Sequence, residues 1–252
     1  MSKLITRRSL IGTGMLGGGL LLSGCDRLNG SPTFRGLLES GEDWHRISQR
    51  AIGGQALARE FSVADISPVF RANGNRQAGD PAYKRHLAEG FARWALRVEG
   101  MVGRPLALPL AALQAMPQRR QITRHDCVEG WSAIGQWQGP QLSQVLALAQ
   151  VSPRARYLVF HCADSFGATP YYESIDMADA LHPQTILAWQ LNGQPLDEAR
   201  GAPVRVRVER QLGYKHAKFV MRIEARETLA GVYGGKGGYW EDKSDYAWYA
   251  GI

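Results

Sequence analysis

Three cysteines, Cys25, Cys127 and Cys162, make up the thiol inventory of this 252-residue chain. His125 stands two residues before Cys127, and His161 directly precedes Cys162. Thiols and imidazoles in that arrangement admit several chemistries. Cys127 and Cys162 could join as a disulfide in an oxidising compartment. They could share zinc with the two histidines, although H-x-C with H-C fits poorly the spaced pairs that structural zinc prefers. One thiolate could bind a soft, high-valent metal, or both thiols could be inert and buried. Spacing alone leaves all four open.

The elements around these residues are short. Trp94, Leu96 and Val98 alternate with polar or small neighbours, the period-two pattern of a half-buried strand. Pro109 opens a short helix through Leu113 that stops before Pro117. A strand over Ile122–Val128 carries Cys127 to a turn. Gly139-Pro140 precedes a helix with Leu142, Val145, Leu146 and Ala149 on one face. Further strands are expected over Tyr157–Phe160, Thr185–Leu191, Pro203–Val208 and Phe219–Ile223. By alternation Val204, Val206 and Val208 face one way, while Arg205, Arg207 and Glu209 share an outward face. Short strands with few helices between them give an α+β fold with mixed sheets.

Composition sets broad limits. With 44% hydrophobic and 21% charged residues the chain is globular. Its net charge is +7, but Lys and Arg are scattered rather than massed on one helix or tail, so no nucleic-acid partner is expected. Residues 1–25 read as an address. Thr6-Arg7-Arg8-Ser9-Leu10-Ile11 and a glycine-rich apolar stretch have the layout of a twin-arginine signal. Leu22-Ser23-Gly24-Cys25 resembles a lipobox that would place a lipid anchor on Cys25, and Asp26 resembles a signal for retention at the inner membrane. The other reading is a periplasmic protein cleaved elsewhere. Residues 26–60 then form a polar tether and 61–252 the catalytic domain. The twin-arginine route carries folded proteins, which favours a complex cofactor.

The segment Arg124-His125-Asp126-Cys127-Val128-Glu129-Gly130-Trp131-Ser132, continuing to Pro140, resembles the cysteine signature of sulfite-oxidase-fold molybdenum enzymes, on the branch of the bacterial periplasmic methionine-sulfoxide reductases. Gly201-Ala202-Pro203-Val204-Arg205 and Gln211-Leu212-Gly213-Tyr214-Lys215-His216-Ala217-Lys218 resemble that family's closing motif. The resemblance covers roughly Phe70 to Glu227. It implies a molybdenum-molybdopterin oxidoreductase in which Cys127 is both the catalytic residue and the protein's ligand to the metal, beside the dithiolene sulfurs. An electropositive surround with Arg124 would favour the thiolate. By family position Arg205, His216, Ala217 and Lys218 would hold the terminal phosphate. Asn73, with Arg76 and Gln77, would contact the pterin.

Two positions depart from the pattern. Cys162 stands where the reductase branch has a cofactor-contacting threonine, and Arg200 where relatives carry Asn or His against the pterin. Glu129 and Trp131 replace the arginines with which sulfite oxidases hold their anionic substrate, which disfavours sulfite. The resemblance therefore implies a periplasmic oxotransferase, which lipid on Cys25 would tether to the inner membrane. It would reduce an S-oxide-type small molecule or protein methionine sulfoxide, as a monomeric catalytic subunit served by a membrane-bound haem donor. The alternatives are a non-catalytic lipoprotein binding module that keeps the fold, and a zinc- or disulfide-stabilised periplasmic domain. Gly234–Gly238 lacks the spacing of a phosphate loop and reads as a flexible tail. Tyr239, Trp240, Tyr246, Trp248 and Tyr249 are expected to pack on the domain, the alternative being that they cover the site entrance. Asp164 and Glu173 read as isolated, solvated or capping carboxylates.

Overall fold

In the computed structural model, which describes residues 31–54 and 56–252, two units are distinguished, one up to Ala51 and one from Ile52 to Ile252. The signal and lipobox lie outside the described residues. The stretch expected as a polar tether is helical over α1 (Pro32–Gly53). Its apolar residues Leu37, Trp44 and Ile47 recur at helical spacing, a pattern that polar composition had masked.

In the second unit, α2 (Pro81–Ala88) starts behind Asp80, whose carboxylate accepts from the Tyr83 amide, with Pro81 in the first turn. Then follow β1 (Ala95–Gly100), β2 (Leu106–Pro109), α3 (Leu110–Ala115), β3 (Gln118–Cys127), β4 (Trp131–Pro140) and α4 (Leu142–Ala149). After these come β5 (Tyr157–Phe166), β6 (Thr169–Asp176), α5 (Met177–Ala180), β7 (Ile186–Ala188), β8 (Gln190–Leu191), β9 (Gln194–Pro195), β10 (Arg205–Arg207), β11 (Val220–Arg226) and α6 (Tyr239–Ser244).

The strands form three sheets: five strands in the order β2-β1-β11-β5-β6, four in the order β3-β4-β8-β9, and the pair β10-β7. Only β1 and β11 run parallel, with Val98 opposite Ile223, so the largest sheet is mixed. The alternation read in β1 and the face read in α4 hold. Leu96 and Val98 are buried, as are Leu142, Val145, Leu146 and Ala149, and all join one core with Leu158, Phe160 and Ile223.

The small β7–β10 pair lies between two cores. Val204, Val206 and Val208 enter the main core, whereas Ile186 and Ala188 of β7 join a second cluster around Trp137. The outward face expected for Arg205, Arg207 and Glu209 is not outward: all three are buried. Both arginines stack on the Trp137 ring, Arg207 at 4.3 Å and Arg205 at 5.1 Å from its centroid. Alternation reports which residues share a face, and here both faces are covered. The close approach of β4 to β7 requires a residue without a side chain at Gly139, where a Cβ would fall 2.0 Å from the Leu187 carbonyl oxygen.

Two further expectations change. Glu173 is fully buried, because β6 has covered faces on both sides. The glycine-rich stretch is no loose tail: the Gly237 carbonyl accepts from Ser174 Oγ, and Asp242 accepts from the amides of Gly234 and Lys236. The terminal aromatics do pack on the domain, Tyr239 stacked on Phe166 and Trp240 on Tyr246.

Candidate active site

Cys127 is the last residue of β3, paired with Trp131 across a tight turn in which the Gly130 amide donates to the Cys127 carbonyl. Gly130 sits at φ +83, which a residue with a Cβ adopts only under strain. Along β3, Gln121, Thr123 and His125 are buried while Arg124 is exposed on the opposite face and paired with Asp126 at 2.9 Å. Arg124 therefore does not bias the Cys127 thiol, as the sequence had suggested. Burial pushes that thiol up, and Arg205 is the cation that pulls it down.

The thiol opens into a cleft of about 220 Å³. One wall is polar, built from Asn73, Gly74 and Asn75 of the loop before α2, with His216 and Lys218 from the segment between β10 and β11. The other is aromatic: Phe166 of β5, Tyr171 of β6, Tyr214, and Trp240 and Tyr246 from the C-terminal segment. Glu129 borders Cys127, its carboxylate accepting from the Gly74 amide at 2.9 Å and from Trp131 Nε1 at 3.0 Å.

Two cations lie beneath the polar wall with no carboxylate against them. Arg205 is 1% exposed, and its guanidinium makes only long contacts, 3.3–3.5 Å, to Asn73 Oδ1 and the carbonyls of Arg200 and His216. Its Nε has no partner. Lys218 is 5% exposed and donates only to the carbonyls of Asn75 and Ala199. Among the described residues neither forms an ion pair. Burial first, and then mutual repulsion with neighbouring cations, lowers Arg205 to about 9 and Lys218 to about 7. Gly201, at φ +98, lets the backbone pass so close to Lys218 that a Cβ would meet the Lys218 Cβ at 2.7 Å.

The neighbouring charges are satisfied, which isolates these two. Arg207 makes a bidentate pair with Glu209 and donates to His125 Nδ1 at 2.8 Å. Because arginine only donates, His125 is a neutral acceptor there, and burial holds its pKa well below the usual value. His216 donates through Nε2 to the Gln211 carbonyl at 3.0 Å, which leaves its buried Nδ1 a free acceptor. Buried unpaired cations and orphaned polar atoms converging on one cleft fit a ligand that is anionic and rich in hydrogen-bonding groups. A pterin carrying a phosphate and dithiolene sulfurs has that character.

The residues expected to bind cofactor are only partly brought together. Asn73, His216 and Lys218 line the cleft, Arg205 lies behind them against Asn73 Oδ1 and the His216 carbonyl, and Ala217 is buried between His216 and Lys218. Arg76 and Gln77 are exposed and line a neighbouring depression with Asn75, Asp197 and Glu198. Arg200 turns to the Phe70 carbonyl at 2.7 Å and to Asp197, so only its own carbonyl reaches Arg205. Cys162 packs between two cores beside the cleft without lining it, and burial pushes its thiol well up. Cys127 and Cys162 are both free thiols, and among the described residues no cluster of three metal-ligating side chains occurs.

Sequence reasoning missed Asn75, the Phe166, Tyr171 and Tyr214 part of the aromatic wall and the placement of Asp164, whereas Trp240 and Tyr246 line the cleft as the alternative of a covered entrance had it. The Asp164 carboxyl is buried in the cleft, and Asn75 Nδ2 donates to its Oδ2 at 3.0 Å while Oδ1 has no partner. Burial raises it to about 6. These residues come from four separate segments, and only the fold assembles them.

Comparison with known proteins gives this arrangement its context. Residues 84–232 match the oxidoreductase molybdopterin binding domain. A protein of Azospira oryzae, provisionally named protein-methionine-sulfoxide reductase subunit YedZ1, is 36% identical over 250 residues, covering 99% of this chain and 89% of that protein. The protein-methionine-sulfoxide reductase catalytic subunit MsrP of Ralstonia nicotianae is 38% identical over 141 residues, 52% of this chain and 43% of that protein. Among solved structures, the sulfane dehydrogenase SoxCD of Paracoccus pantotrophus superposes with a TM-score of 0.53 at 22% identity, over 61% of this chain and 41% of that one. The fold is thus the sulfite-oxidase-like one expected from the motifs. The chain belongs to the molybdopterin-binding oxidoreductases, and it is an oxidoreductase whose cofactor is molybdenum-molybdopterin.

Proposed function

We propose that this enzyme reduces S-oxides, methionine sulfoxide in small molecules or in proteins, in the periplasm, with electrons from a membrane-bound haem protein. The names of its two relatives support the substrate class, and the twin-arginine and lipobox pattern supports the location. One observation carries the assignment of the site: Arg205 and Lys218 are buried without acid partners beneath the cleft into which Cys127 opens.

When bound, molybdenum-molybdopterin supplies two-electron chemistry coupled to transfer of one oxygen atom. Cys127 would be the protein's ligand to the metal. Arg205 offers a fork and Lys218 a point charge to the phosphate, with His216, Ala217 and Asn73 completing the hold. Glu129, fixed by Gly74 and Trp131, places a negative charge beside the thiol and repels anionic substrates such as sulfite. A neutral sulfoxide escapes that repulsion and can rest its methyl group on the aromatic wall. Asp164 holds a proton at its carboxyl below about pH 6, within the same cleft. Reduction of one sulfoxide consumes two electrons and two protons and releases water.

Metal analysis of protein matured in cells that make the pterin tests this reading. About one molybdenum per chain is expected, and Cys127→Ser is expected to abolish sulfoxide reduction. Metal-free protein from such cells, or a fully active Cys127→Ser variant, would overturn it.

A further inference from the structure

The sides of the helix α1 differ sharply. At 100° per residue, Leu37, Trp44, Ile47 and Ile52 fall within an arc of about 140°, while Glu42, Asp43, Arg46, Gln49 and Arg50 occupy the opposite arc. The four apolar side chains are exposed, Leu37 at 65%, Trp44 at 68%, Ile47 at 51% and Ile52 at 88%. Soluble proteins seldom leave such a stripe to water.

We propose that α1 lies flat on a lipid bilayer, with Leu37, Trp44, Ile47 and Ile52 in the boundary between headgroups and acyl chains. Three observations choose lipid over another occupant. Only six residues, Asp26–Ser31, separate the lipobox cysteine Cys25 from Pro32, a reach of about 20 Å when fully extended, so a lipid on Cys25 would keep the helix at the surface. Among the described residues no helix is long and apolar enough to cross a membrane, so α1 rests on it and does not span it. Trp44, the bulkiest member of the stripe, is of the type enriched at that depth. Glu42 and Asp43 balance Arg46 and Arg50, so apolar contact drives the association and anionic lipid is not required. The inference rests on the membrane-side location proposed above only for which bilayer the helix meets.

The test uses the full chain carrying Cys25→Ser, which cannot be lipidated, with neutral phosphatidylcholine vesicles whose acyl chains carry bromine. Emission lost relative to unbrominated vesicles is compared with that of a Trp44→Phe chain, which isolates the Trp44 signal. Quenching of Trp44 is expected. It should fall several-fold in Leu37→Ala/Ile47→Ala, where alanine preserves helix while removing apolar area, and persist in Gln49→Glu on the polar face. Unquenched Trp44 would mean that the stripe packs on protein, either the same chain or a second copy. Quenching only with anionic lipid, or quenching indifferent to the alanine pair, would equally overturn the proposal. The mass of Cys25 in wild-type chain extracted from cells separates the two readings. An unlipidated cysteine there removes the anchor and leaves the vesicle result standing.

Discussion

Lys215→Met tests how the aromatic wall of the cleft is held. Lys215, in the turn before His216, is fully buried between Glu173 of β6 and Glu241 of α6, with its ammonium 2.7 Å from Glu241 and in hydrogen bond with Glu173. It also lies 5.4 Å from the Trp248 ring. Glu241 stands between the cleft residues Trp240 and Tyr246, so this cluster ties the wall to the sheet. Methionine fills the volume and leaves two buried carboxylates without their cation, a loss of about 3–5 kcal/mol. At a urea m-value near 2–3 kcal/mol/M the midpoint should fall by roughly 1–2 M. The deficit depends on pH in a fixed direction. Burial and the Glu241 charge already hold the Glu173 carboxyl well above its usual range, so the folded state binds its proton more tightly than the unfolded one. Lys215 pulls that carboxyl down, so its removal raises the proton affinity of the folded state further. Stability from such a group grows as pH falls through the raised value, and the variant's deficit should therefore shrink between pH 8 and pH 5. Denaturation curves at those two pH values decide the matter. A loss below about 1 kcal/mol at pH 8, or one unchanged at pH 5, would refute the claim that the cation offsets the two acids.

Other expectations follow from neighbouring parts of the cleft and core. Arg205→Met removes a buried cation that lacks an acid partner, so cofactor-free protein should lose little stability while molybdenum content drops at least roughly tenfold, read by urea titration and metal analysis. Gly139→Ala drives a methyl group into the Leu187 carbonyl and should cost at least about 3 kcal/mol, measured by thermal unfolding. In cofactor-free native protein, Cys127, half-buried at the cleft, should react with iodoacetamide, slowly because its thiol is pushed up, while Cys162 stays protected. Peptide mass mapping distinguishes the two sites.

Periodicity made legible those elements with one wet face. The alternation of β1 and the four-residue stripe of α4 were readable because their polar positions do meet solvent. β6 carries no such mark: Tyr171 to Ile175 are all buried, Glu173 among them, because strands and the C-terminal segment cover both its faces. Arg205 and Arg207 misled for the same reason. A charged side chain normally reports water, but here one guanidinium is neutralised by Glu209 and the other is buried against Asn73 and the carbonyls of Arg200 and His216. The Cys127 and closing motifs located half of the polar wall. The aromatic wall was legible only in its terminal part, Trp240 and Tyr246, since Phe166, Tyr171 and Tyr214 carry no spacing that announces a shared site.

The parallel pairing of β1 with β11 sets a timetable. The middle position of the five-stranded sheet is taken by the strand made last, so β1 and β5 have no partner between them until nearly the whole domain has been synthesised. His216 and Lys218 arrive just ahead of that strand. A cofactor site that needs His216 and Lys218 is therefore incomplete during the early collapse of the chain.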